Sequence, residues 1–184
     1  GSKGKAVSLR SAFHFVQNDK SCDSFQGSHK AMTSISEILE HRHVRLQLEA
    51  VSEPDAVLEV LSSLDGDRRV ENFATLSDAV TARDAAGIIE NGCGICIAHG
   101  RTEAVSSLVM AAGRSVAGVP ARKGDGVVKL FFVVGIPSAF SSEYLRIVGA
   151  IARICRDRHQ LDRLLTTKTS RNFVDLLATG EVKL

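Results

Sequence analysis

A histidine closes an apolar run near the middle of the chain: Gly92-Cys93-Gly94-Ile95-Cys96-Ile97-Ala98-His99-Gly100-Arg101. With an unperturbed pKa of ~6.5, a histidine keeps much of its ring as free base near neutrality, so it can act as a nucleophile. Gly100 lets the backbone turn out of the run, so the histidine is anchored below by packing and open above, as a functional side chain handed to a surface would be. The alternative is a histidine that caps a strand and bonds only to backbone.

The same run holds a CxxC spacing, Cys93-Gly94-Ile95-Cys96. Redox CxxC pairs sit at helix starts, where the thiol pKa falls. Here branched apolar neighbours argue for a strand, which sends the two sulfurs to opposite faces. A zinc site of Cys93, Cys96 and His99 fails for the same reason and lacks a fourth ligand. These cysteines read as small core residues, and no metal is expected. His41 and His43 lie two apart in a charged stretch with no acidic or cysteine partner in sight, so they too read as non-ligands.

The elements around His99 follow from periodicity. Cys93, Ile95, Ile97 and His99 share one side of a strand. Ile35, Ile38 and Leu39 have helical spacing, and Val44, Leu46 and Leu48 alternate as a half-buried strand does. Ser52-Glu53-Pro54-Asp55 opens a helix with the stripe Val57, Val60, Leu61 and Leu64. Phe73, Leu76, Ala79 and Val80 make a second stripe ending toward Arg83, followed by a loop through Gly87 and Asn91-Gly92. A strand is expected over Ala104–Ala112 and a loop from Gly113 to Gly126. Val127–Pro137 is apolar on both faces, the mark of a central covered strand. Ser141 or Ser142 caps a long helix with Leu145, Val148, Ile151, Ala152 and Cys155 inward. Helices follow at Asp157–Leu165 and from Ser170, where Phe173, Val174, Leu176 and Leu177 pack.

The 184 residues carry 23 basic and 21 acidic side chains and are 44% hydrophobic. That supports one sizeable core and gives no basic patch for nucleic acid. The helical charges Arg153, Arg156, Arg158 and Arg163 alternate with Asp157 and Asp162 as a solvated face. No apolar run approaches the ~20 residues of a membrane span, and no secretory leader is evident, so a cytoplasmic protein is expected. Residues 1–31 read as an N-terminal extension, flexible or appended, and residues 32–184 as one domain.

The histidine run, the arginine before it, the strand Val128–Pro137 and the helix opening Glu143-Tyr144-Leu145-Arg146 together carry a resemblance. They resemble the enzyme IIA domain of the bacterial phosphoenolpyruvate-dependent phosphotransferase system, in its fructose/mannitol and nitrogen-regulatory class. The likeness spans roughly Ile35 to Leu177. It implies an α/β domain, a mixed β-sheet flanked by helices on both sides (phosphotransferase/anion-transport-like). It implies that His99 takes a phosphoryl group from a histidine phosphocarrier protein, with Arg83, Gly100, Arg101 and Tyr144 in support and no cofactor. A regulatory target protein is a further implied partner. The absence of a sugar-transporting domain in this sequence favours the nitrogen-regulatory or stand-alone variant. The chain departs from the family motif in three places. Ala98 stands where a proline is usual, Ile88-Ile89-Glu90 where Ser-Thr-Gly is usual, and Tyr144 where many members have a second histidine. Glu90 would repel a phosphate if it faced the site, and Tyr144 offers one hydrogen bond without charge. The competing reading is an unphosphorylated sensory or partner-binding module with a degenerate site.

Overall fold

The computed structural model describes residues 34–82, 86–90, 93–122, 126–139 and 141–182. The elements run α1 (Ile35–Ile38), β1 (Leu39–Arg45), α2 (Glu53–Leu61) with a 3₁₀ turn (Ser62–Leu64), α3 (Phe73–Thr81) and β2 (Ala86–Glu90). They continue with β3 (Cys93–Arg101), β4 (Val109–Pro120), β5 (Val127–Ile136), α4 (Ser141–Arg156), α5 (Arg158–Thr166) and α6 (Ser170–Val182). Extension residues 1–31 lie outside the described residues.

Local chemistry sets the helix starts. Ser52 Oγ accepts a bond from Asp55 N ahead of α2, and Pro54 sits in its first turn. Asn72 Oδ1 accepts from Thr75 N at 3.0 Å, Asp157 Oδ1 from Gln160 N at 3.0 Å, and Thr169 Oγ1 from Asn172 N at 3.2 Å. Ser170, expected as the last cap, is instead the first residue of α6, and its hydroxyl donates to Val44 O.

Five strands pair in the order β1-β4-β5-β3-β2. β5 is the middle strand, antiparallel to β4 and parallel to β3. Its side chains alternate between two cores, as its two-sided apolarity predicts. Leu130, Phe132, Val134 and Ile136 join Ile95 and Ile97 beneath α1, α4, α5 and α6. Val128, Phe131 and Val133 join Cys96, Ala98 and the apolar stripes of α2 and α3 on the other face. Each fully buried Phe of this kind contributes roughly 2–3 kcal/mol relative to exposure.

Several expectations are corrected. β1 starts at Leu39 and ends at Arg45, so α1 is a single turn and Leu46 and Leu48 lie beyond the strand. The strand expected at Ala104 begins only at Val109, because residues 104–106 bond to the 69–71 segment. Glu71 N donates to Ala104 O, Ser106 N donates to Arg69 O, and Val70 bridges to Val105. β4 then runs through much of the expected Gly113–Gly126 loop. Gly113 is a strand residue whose missing Cβ admits the Val60 methyl of α2. Where a loop through Gly87 was expected, β2 pairs antiparallel with β3, leaving only Asn91 and Gly92 between the paired ends. On α4, the expected Ile151, Ala152 and Cys155 are buried and Val148 packs against the core, Ile147 and Ile154 widen the buried face, and only Leu145, 42% exposed, departs from the expected stripe. No helix among the described residues is long and apolar enough to cross a membrane.

Candidate functional site

β3 and β5 run side by side and end together, with His99 opposite Val134, Gly100 opposite Gly135 and Arg101 opposite Ile136. Below His99 on its own face, Ile95 and Ile97 are buried at 1% exposure. The histidine itself is only partly buried. Packing fixes its backbone, and the end of the row opens to solvent, as the strand alternation predicts.

α4 brings its first turn to this point. The Tyr144 and His99 rings lie with centroids 4.8 Å apart and planes tilted by 37°. Tyr144 packs against the core that holds Ile147 and Ile151, which seats the helix start beside the imidazole. The first N–H groups of a helix lack intrahelical partners, and the dipole adds positive potential there. A carboxylate, Glu143, shares that turn. The imidazole therefore sits beside a helix N-terminus and a phenol.

Gly100 explains how α3 reaches the same place. A Cβ at Gly100 would lie 2.8 Å from Val80 N and 2.9 Å from Ala79 C, so only glycine lets β3 touch the last turn of α3. Arg83 follows α3 in sequence and lies outside the described residues. Arg101 is exposed at the strand end, and Thr102 N then donates to Ile136 O at 2.9 Å.

Glu90 is removed from the histidine. The β2–β3 register pairs Glu90 with Cys93 and Ala86 with Ile97. Six residue steps along β3 lead from Cys93 to His99, roughly 20 Å at 3.3 Å per residue. The backbone of Glu90 therefore pairs with the opposite end of β3 from the histidine.

Cys96 is fully buried on the α2/α3 face, and burial pushes its thiol up to about 12, with Glu53 adding to the shift. Such a thiol is not a redox nucleophile near neutrality. No group of three or more His, Cys, Asp or Glu residues among the described ones is placed to hold a metal.

A charged cluster was not foreseen. His43 is 2% exposed, with Nε2 at 3.3 Å from Asp67 Oδ2. This corrects the expectation that His43 has no acidic partner. Arg69 forks onto Asp67, Nε to Oδ1 at 2.9 Å and Nη2 to Oδ2 at 2.8 Å, and reaches Glu40 Oε1 at 3.1 Å. Arg42 Nη2 adds a bond to Asp67 Oδ2 at 3.1 Å. The Arg69 hydrogen bonds hold the Asp67 carboxyl down to about 2, whereas burial lowers the His43 pKa. Arg69 O accepts from Ser106 N and the Ser106 hydroxyl, so this cluster braces the loop that follows Arg101. The sequence signal was slight: an Asp-x-Arg spacing and a histidine in β1.

The arrangement is one partly exposed imidazole at a strand end, flanked by a helix start. It suits attack on an electrophilic anion. Comparison with known proteins places the chain in a family. Residues 37–180 match the family described as phosphoenolpyruvate-dependent sugar phosphotransferase system, EIIA 2. The fructose-specific EIIA component of Haloferax volcanii is 30% identical over 139 residues, spanning 72% of this chain and 90% of that protein. Two solved structures share the fold. The nitrogen regulatory protein IIA-Ntr from Neisseria meningitidis has a TM-score of 0.66 at 24% identity, covering 77% of this chain and 97% of its own. Mannitol enzyme IIA from Escherichia coli, solved in complex with phosphorylated enzyme IIB, has a TM-score of 0.59 at 16% identity, covering 77% and 99%. The family match spans most of the chain and includes the whole β3–β5–α4 framework around His99, so this protein belongs to the EIIA type 2 family of the phosphoenolpyruvate-dependent phosphotransferase system.

Proposed function

We propose that His99 is the phosphoryl acceptor of this EIIA component. The observation that carries the reading is the meeting of His99 with the first turn of α4 at the end of β3. A ring nitrogen of His99 attacks the phosphorus of a phosphohistidine on a histidine phosphocarrier protein. The P–N bond to the donor ring breaks as the new P–N bond forms. The donor nitrogen leaves with the bonding pair, and a proton passes from the His99 ring toward the donor ring. Transfer of this kind needs in-line positioning and neutralisation of the three moving oxygens, with no metal or nucleotide.

The helix start and the backbone amides at Gly100 and Arg101 supply part of that neutralisation. Arg83 supplies a full charge in this reading, and Tyr144 donates one hydrogen bond to a phosphate oxygen. The register that keeps Glu90 at the far end of β3 removes one objection to an anion here. The protein then passes the group to a second protein. The complex of mannitol enzyme IIA with phosphorylated enzyme IIB suggests an enzyme IIB-type acceptor, and the IIA-Ntr fold suggests a regulatory target in nitrogen control.

The test is the chemistry of the bound phosphate after incubation with phosphoenolpyruvate, enzyme I and the phosphocarrier. Phosphohistidine gives label lost in acid and kept in base, at a site absent from His99→Ala. Acid-stable label, or label that survives His99→Ala, would refute the assignment. A folded protein with no label would leave the partner-binding module as the better account.

A further inference from the structure

Arg114 lies on the same face of the sheet as His99 but away from it. Its strand partner is Leu130, whereas that of His99 is Val134 on the same strand, four residues or roughly 13 Å along β5. The residue as a whole is 8% exposed. Nε donates to Leu46 O at 3.1 Å, and Nη1 is shared among Leu164 O, Leu165 O and Thr167 O at 3.2, 2.9 and 2.8 Å. These bonds take up carbonyls at the C-terminal end of α5, which helices leave unpaired. They explain why an arginine is buried here, and they use one side of the fork only.

The other side is unspent. Nη2 makes no hydrogen bond with a described residue, and it is not among the polar atoms sealed from solvent. No carboxylate among the described residues pairs with Arg114, and burial is the sole cause lowering its pKa. A cavity of about 410 Å³ opens over it, lined by Leu46, Gln47, Arg114, Thr166, Thr167 and Lys168. It is a groove open to solvent, with room for a small anion over the guanidinium. The lining offers two cations, an amide and two hydroxyls, and no acid. A guanidinium fork and an ammonium together favour a phosphate or carboxylate head.

We propose that this cavity is a second site, separate from His99, that binds a small oxyanion on Arg114 Nη2 and the Lys168 ammonium. The anion supplies the counter-ion that the fold leaves out. Gln47 and Thr167 orient it from the rim.

The probes are inorganic phosphate and malonate, titrated separately into the full chain at constant ionic strength and followed by ¹H–¹⁵N NMR, with chloride as the control. The expected result is a saturable shift of the Arg114 Nε–H and the Thr167 and Lys168 amides, half-complete at about 1 mM or below. Lys168→Glu, a change at an exposed side chain, should weaken it about tenfold without altering the fold. His99→Ala should leave it unchanged, which separates this site from the phosphoryl acceptor. Saturation by phosphate alone, malonate alone or both supports the site and names its preferred head group. Overturning it takes shifts that match chloride, shifts confined to the His99 end of β3, or equal affinity in Lys168→Glu.

Discussion

At the residue scale, the chain places one partly exposed imidazole at an open strand end and buries another, and their surroundings explain the difference. His99 ends a packed row and faces a helix start, whereas His43 is sealed beside Asp67, Arg42 and Arg69, with Glu40 completing the charges around it. Because burial depresses the folded-state pKa of His43, the unfolded chain binds more protons as pH falls below ~6.5. Stability is therefore full above that value and declines on acidification. Asp67 adds a second loss lower down, from its ordinary value of 3.8 toward about 2, where its carboxylate is protonated in the fold as well. Thermal unfolding followed from pH 7.5 to 5 should show the first decline, and His43→Gln should flatten it. Asp67→Asn should cost roughly 2 kcal/mol at neutral pH, since it removes the forked carboxylate and leaves Arg69 with the Glu40 carboxylate alone. His99 was legible because a lone polar residue ending an apolar alternation is conspicuous. The Asp67 cluster was not, because its members come from β1 and a loop that sequence spacing cannot bring together.

At the scale of elements, the site depends on three ends meeting: β3, the last turn of α3 and the first turn of α4. Gly100 is the contact that sets the first two. Gly100→Ala should force β3 from α3, destabilising the fold by about 1–3 kcal/mol in urea unfolding and slowing phosphotransfer with it. Wild-type stability with wild-type transfer would show that the close approach is dispensable. Periodicity read α2, α3, α5 and the central β5 well, because long stripes and two-sided apolar runs have few alternatives. It misread β4 and β2. Gly113 signalled a loop, although its role is to admit Val60, and Ile88-Ile89 was too short a run to stand out beside Gly87. The α4 stripe was legible at Val148, Ile151, Ala152 and Cys155, and Leu145 alone, near the helix start, turns outward.

For the whole molecule, a five-stranded mixed sheet with helices on both faces belongs to a family whose match begins at residue 37. We expect removal of residues 1–31 to leave the melting temperature and the rate of phosphotransfer unchanged. A clear drop in either would assign the extension a structural or functional share. The resemblance seen in the sequence carried the architecture, because the histidine run, β5 and the start of α4 keep their order and spacing. It did not carry the electrostatics of the site, since Tyr144 stands where many members have a second histidine. The most direct test of the central claim is intact-mass measurement after incubation with phosphoenolpyruvate, enzyme I and a histidine phosphocarrier protein. The account predicts a gain of about 80 Da, one phosphoryl group, in the wild type and none in His99→Ala. An equal gain in His99→Ala, or no gain in a folded wild type with any active phosphocarrier, would contradict it.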